Sequence, residues 1–216
     1  MGVTAATVEP GHRLRADAMR NRERIIAAAR DAFLEVGPDV ALDAIAHRAG
    51  VGNATLYRHF ADRGELVLAV AVSAIDRVIA HADHVLSEEA DAFEALRRFT
   101  IKAADERIGS LSAVFCGVIE PSDPRVVDAR VRFEAAVDRV MDRARRAGQL
   151  RPDVERGDLL TAITQLTRPV PGTTCGQFGP FVHRHLHIFL DGLRAPARSA
   201  LPGAAVTLEG LRQRMS

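Results

Sequence analysis

Residues 41–60, ALDAIAHRAGVGNATLYRHF, leave the backbone few choices. Two short apolar-faced segments, about 42–49 and 53–59, are broken by Gly50-Val51-Gly52. Glycine tolerates the left-handed conformation at a helix C-terminus, so Gly50 ends the first helix, Val51 points back to a core, and Gly52 precedes the second. The second helix opens on small side chains, Asn53, Ala54 and Thr55, and closes on Tyr57, Arg58, His59 and Phe60. Short side chains at a helix start let the backbone approach base edges, while later polar ones fix register on phosphate. The pattern predicts a helix-turn-helix whose second helix enters the major groove of DNA, with Leu56 and Phe60 as anchors. Spacing alone also fits a plain packed helical corner.

The flanks favour DNA. From Arg13 to Arg30 six arginines face only Asp17 and Glu23. Ile25, Ala29, Phe33 and Val36 share one helical face there, and Gly37-Pro38 stops the helix. The whole 216-residue chain carries a net charge of only +1, so a nucleic-acid footprint must be local. Lys102 is the only lysine, a bias that GC-rich coding explains more simply than a binding requirement. A fourth helix starts near Asp62 and runs past His81, with Leu66, Val67, Val70, Ala74 and Ile75 on its apolar face.

Beyond it the pattern stays helical, over about 87–108, 124–147, 155–167 and 177–193, with a short apolar segment at 111–119 and a loop at 168–176. No alternating strand pattern and no repeat occurs. The expected fold is all-α with about nine helices: an N-terminal arm (1–15), a three-helix helix-turn-helix DNA-binding domain (16–63), a helical ligand-binding and dimerisation domain (64–195) and a C-terminal tail (196–216). Cys116 and Cys175 are too far apart in sequence to suggest a disulfide framework or a metal site. The N-terminus lacks a signal-peptide pattern and no run reaches the ~18 apolar residues of a membrane span, so a cytoplasmic protein is expected. No nucleophile elbow, phosphate loop or paired carboxylates stand out, so neither an enzyme nor a cofactor is expected. His183 and His187 could share a metal at i, i+4, but no nearby side chain completes the shell, and the expectation is no metal site. Cys116 reads as a buried small residue sooner than as a redox sensor.

IIAAARDAFLEVG (25–37) and LDAIAHRAGVGNATLYRHFADRGELV (42–67), in that spacing, resemble the N-terminal DNA-binding domain of TetR-type transcriptional regulators over about residues 20–67. The resemblance implies that Asn53, Ala54 and Thr55 face bases, that Tyr57 and His59 contact phosphates with Arg58 beside them, and that Arg63 takes the place of a phosphate-contacting lysine. Ala41 and Gly52 depart from the family pattern, which usually caps the two helices with Thr or Ser; Ala is a poor cap and Gly a tolerable one.

The resemblance also implies that the remainder binds a ligand and dimerises through a four-helix bundle of the last two helices. Leu159, Ile163, Leu166 and Val170, then Phe178, Val182, His185, Phe189 and Leu193, form stripes that suit such a partner and equally suit an internal core. Phe93, Phe99, Phe115, Cys116, Ile119, Phe133, Val137 and Met141 are candidate pocket residues; few charges fall among them, so a mostly apolar effector is expected. The function expected is a dimeric repressor of a palindromic operator, released by that effector through a population shift with helix 4 as the lever. The alternative is an all-α small-molecule or partner-binding protein that has lost operator binding.

Overall fold

The computed structural model describes residues 10–115, 117–167 and 179–207. Among them are nine helices: α1 (Pro10–Val36), α2 (Leu42–Ala49), α3 (Asn53–His59), α4 (Arg63–Glu88), α5 (Ala92–Asp105), α6 (Ile108–Val114), α7 (Pro124–Arg146), α8 (Arg156–Leu166) and α9 (Gly179–Gly192). The only pairing of extended backbone described is an isolated bridge between Leu150 and Arg194. No helix among the described residues is long and apolar enough to cross a membrane. The chain divides into two compact units, one up to Val70 and one from Ala71 onward.

The first unit is built on the expected face of α1. Ile25, Ala29 and Phe33 are buried with Ile45, Ala46 and Ala49 of α2, Leu56 of α3, Phe60, and Leu66, Val67 and Val70 of α4. Val36, counted on that face by its spacing, is instead largely exposed, because Gly37 takes a φ of 107° and turns the chain there. α1 begins at Pro10, inside the stretch expected to be an arm. Arg48 of α2 forms a two-pronged ion pair with Glu35 of α1, at 2.5 and 2.8 Å, and its hydrogen bonds hold the Glu35 carboxyl below the usual range.

The second unit encloses a larger apolar core. Val78, Ala82 and Val85 of α4 meet Phe93, Leu96 and Phe99 of α5, Val137, Val140 and Met141 of α7, Leu159 and Ile163 of α8, and Leu186 and Leu190 of α9. α4 and α5 divide later than their apolar pattern suggests: α4 runs to Glu88, and Asp91 starts α5 by accepting the Glu94 N–H at 2.7 Å. Gln149 locks that start, since its carbonyl oxygen accepts from the Phe93 N–H at 2.7 Å while its amide donates to Asp91 at 3.0 Å. Val131 of α7 is exposed; the buried face is Ala129, Ala136, Val137, Val140 and Met141. Glu106 is buried between Arg77 of α4 and Lys102 of α5. Burial pushes its carboxyl up, but hydrogen bonds from both cations outweigh burial and leave it below the usual value.

Part of the tail is fastened to this unit. Buried Arg151 holds Asp153 and donates to the Gly192 and Ser199 carbonyls at 3.2 and 2.8 Å. The Val206 N–H donates to Asp158 at 3.2 Å, and a Cβ at Gly157 would meet the Val206 carbonyl at 2.0 Å. Only glycine lets the tail lie so close to the start of α8.

Candidate nucleic-acid interface and cavity

The turn between α2 and α3 follows from its two glycines. Gly50 sits in the left-handed region (φ 64°) and donates to the His47 carbonyl, while Val51 donates to that of Ala46, both at 3.0 Å. These two bonds form a Schellman closure of α2. Gly52 then leaves in extended conformation and starts α3. Neither Ala41 nor Gly52 supplies a side-chain cap, so the helix starts present bare backbone N–H groups.

α3 divides cleanly into an inner and an outer face. Leu56 and Phe60 are buried, while Asn53, Ala54, Tyr57 and Arg58 are exposed; Thr55 and His59 are half-buried. A single exposed face therefore carries two short residues at the start of the helix and an aromatic hydroxyl and a guanidinium later.

Three arginines brace α3, the turn before it and the α1–α2 loop, a role that spacing did not reveal. Arg22 of α1 places its guanidinium 4.5 Å from the Phe60 ring centroid and donates to the His59 carbonyl at 3.4 Å. Arg24 donates to the Gly50 carbonyl at 3.3 Å. Arg63, expected on phosphate, donates through Nη1 to the Pro38 and Val40 carbonyls at 2.6 and 2.7 Å and so ties α4 to the α1–α2 loop. Leaving two carbonyls without a donor costs about 1–3 kcal/mol. Arg63→Ala is thus expected to lower the melting temperature, followed by circular dichroism with no DNA present. An unchanged melting temperature would leave Arg63 no tethering role.

In the second unit a cavity of about 330 Å³ is lined by Ala71, Ala74, Ile75, Ile108, Leu111, Phe115, Gly117, Ile119, Pro121 and Val126. No charged side chain lines it among the described residues. Of the eight candidate pocket residues, Phe115 and Ile119 line this cavity; Phe93, Phe99, Val137 and Met141 lie in the close-packed core, Phe133 packs against it, and Cys116 lies outside the described residues. The candidate set missed Ala71, Ala74 and Ile75 on α4, Ile108 and Leu111 on α6, Val126 on α7, and Gly117 and Pro121 between α6 and α7.

The α8 and α9 stripes are also split. Leu159, Ile163 and Leu193 are buried within their own unit; Leu166, Val182 and Phe189 pack against its core; His185 is exposed; Val170 and Phe178 lie outside the described residues. Phe181, His185 and Ile188 share one exposed face of α9 at i, i+4 and i+7, with Phe181 at 58% and Ile188 at 60% exposure. His183 instead reaches Asp105 of α5 at 2.7 Å. No group of three metal-ligating side chains occurs among the described residues.

Comparison with known proteins agrees with this anatomy. Residues 25–70 match the family described as bacterial regulatory proteins, tetR family, and residues 88–195 match the SbtR-like transcriptional regulator C-terminal domain. A TetR transcriptional regulator from Streptomyces coelicolor is 31% identical, with 82% of this chain and 99% of that one covered and a TM-score of 0.64. A TetR transcription regulatory protein from Mycobacterium vanbaalenii is also 31% identical, covering 84% and 99%, with a TM-score of 0.65. An HTH-type transcriptional regulator of Staphylococcus aureus is 33% identical over 85 residues, 39% of this chain. That match spans 46% of the relative, just under half its length.

Proposed function

The chain belongs to the TetR family of bacterial regulatory proteins, and we propose that it is a cytoplasmic repressor that binds a palindromic operator as a homodimer and is released by a small uncharged effector. The observation that carries the DNA-binding part is α3. It is a helix anchored on Leu56 and Phe60 whose outer face, Asn53, Ala54, Tyr57 and Arg58, has no packing duty. Asn53, Ala54 and Thr55 are the base-facing residues in this reading. Tyr57, Arg58 and His59 hold phosphate, with Arg63 bracing α4 and offering its remaining donors.

One such helix reads only a few base pairs. Two, about 34–36 Å apart, read a palindrome, which requires a symmetric pair of chains. The exposed apolar face Phe181–His185–Ile188 supports pairing through α9. Leu159, Ile163, Leu166, Val182, Phe189 and Leu193 support that surface from beneath. The cavity supports an apolar effector, since an uncharged lining offers an ion no partner to replace its lost hydration. Binding there would favour a conformation with mis-spaced recognition helices; α4, which lines the cavity and begins at Arg63, is the lever.

The test is a gel shift with DNA from upstream of the chain's own gene, at stated salt. Tyr57→Ala should weaken all sequences alike, and Asn53→Ala should change the preferred sequence by about 1–3 kcal/mol at one position. No selective retardation by the parent chain would reject the repressor; normal binding by Tyr57→Ala would reject this docking of α3.

A further inference from the structure

α1 is longer than its packing requires. Its first buried residue with a described side chain is Ile25, and from Arg15 to Arg24 no side chain is buried. Nearly three turns of helix therefore stand outside the core. Asp17 pairs with Arg20 at i, i+3 within this stretch, and Arg22 and Arg24 fasten its C-terminal end to α3 and to the Gly50 turn.

The charge of the unit is concentrated there. Residues 1–70 hold nine arginines and nine acids, so the unit has no net charge from them, yet residues 13–24 hold five arginines against Asp17 and Glu23. Elsewhere, Arg30 is paired with Asp31, Arg48 with Glu35, and Arg63 is bound to carbonyls. The helical phase then selects a face. Arg15, Met19 and Arg22 recur at i, i+4 and i+7, all exposed, on the side from which Arg22 reaches the end of α3. Arg20 lies on the opposite side. At 1.5 Å per residue, Arg15 stands about 10 Å beyond Arg22 along the axis, far enough to meet a different phosphate.

We infer that the exposed start of α1 is a second DNA-contacting surface, in which Arg15, in line with Arg22, holds backbone phosphates flanking the sequence that α3 reads. The contact is independent of base sequence and adds to affinity, not preference. It rests on the operator-binding reading above.

The test measures affinity of the full chain against salt by fluorescence anisotropy, on a duplex bearing the retarded upstream site with long flanks, on the same site trimmed of flanks, and on a random-sequence duplex. Each lost phosphate contact lowers the slope of log affinity against log salt by about 0.9. Arg15→Ala should therefore be weaker than the parent, with a deficit that shrinks about threefold between 50 and 200 mM salt. Arg15→Lys should restore the parental slope, Arg20→Ala should leave it unchanged, and the trimmed duplex should erase the Arg15 deficit. Melting should not change, because residue 15 supports no core. A parental slope for Arg15→Ala overturns the contact. So does an equal loss with Arg20→Ala, which would mean a diffuse field, or an equal deficit on the trimmed duplex. If the parent binds upstream and random DNA alike, the repressor reading fails, while the slope on random DNA still decides the Arg15 contact.

Discussion

Phe60→Ala is expected to weaken operator binding at least a hundredfold. The ring is buried at the C-cap of α3, its N–H donates to the Leu56 carbonyl at 2.9 Å, and the Arg22 guanidinium lies 4.5 Å from the ring centroid. Truncating a buried phenylalanine costs about 3–5 kcal/mol through lost transfer energy and the cavity left behind. The unit up to Val70 is small, and a domain holds only about 0.05–0.15 kcal/mol per residue of net stability, so the loss is comparable to everything that keeps α3 seated. The cation–π contact, about 0.5–1 kcal/mol at an exposed arginine, goes with the ring. Phe60→Leu retains much of the apolar contact and should keep most of the binding. Anisotropy with labelled operator reads the affinity, and circular dichroism follows the lost helix. Binding of Phe60→Ala within tenfold of the parent would mean that Leu56 and the Gly50 turn seat α3 unaided.

That dependence was legible because the helix-turn-helix is specified locally. Gly50 fixes a left-handed closure, Gly52 an extended exit, and the 3.6-residue phase of Leu56 and Phe60 fixes which side of α3 faces inward. Residue identity and near-neighbour spacing contain all of this. The tethers were not legible, because Arg22, Arg24 and Arg63 reach partners 23 to 37 residues away and nothing in their spacing names a carbonyl. An arginine that reads as a phosphate ligand by position is part-buried on the α1–α2 loop once the chain is folded.

The second unit shows a different limit. Apolar periodicity signals burial but not which surface is buried against what. On α9 it merged Phe189 and Leu193, which face their own unit, with exposed His185, and it passed over Ile188. It also signals filled space. Phe93, Phe99, Val137 and Met141 follow the apolar stripes and are therefore packed core. The void lies where α4 offers the small side chains of Ala71 and Ala74 and where Gly117 and Pro121 interrupt the helices; the period of α4 marks Ala74 as inward-facing but not that the space beside it is empty.

Filling that void should separate effector response from DNA binding. Ala74 of α4 is buried and lines the cavity. Ala74→Phe places a ring in space that Ile108, Leu111 and Phe115 also line. Adding methylenes to a filled core costs about 1–3 kcal/mol, but here the ring enters a void, so the melting temperature should hold within a few degrees. A cavity of about 330 Å³ is at the small end for a drug-sized ligand, so a ring placed in it leaves too little room for both. Nile red, an uncharged dye whose emission rises in apolar surroundings, is the probe. The parent should bind it and Ala74→Phe should bind at least a hundredfold more weakly, while operator affinity stays within threefold of the parent. The same variant should stay on the operator at concentrations of an uncharged apolar inducer that release the parent. Parental dye binding by Ala74→Phe would move the ligand site elsewhere. Lost dye binding with intact release by inducer would mean that the cavity takes up apolar molecules but does not carry the signal.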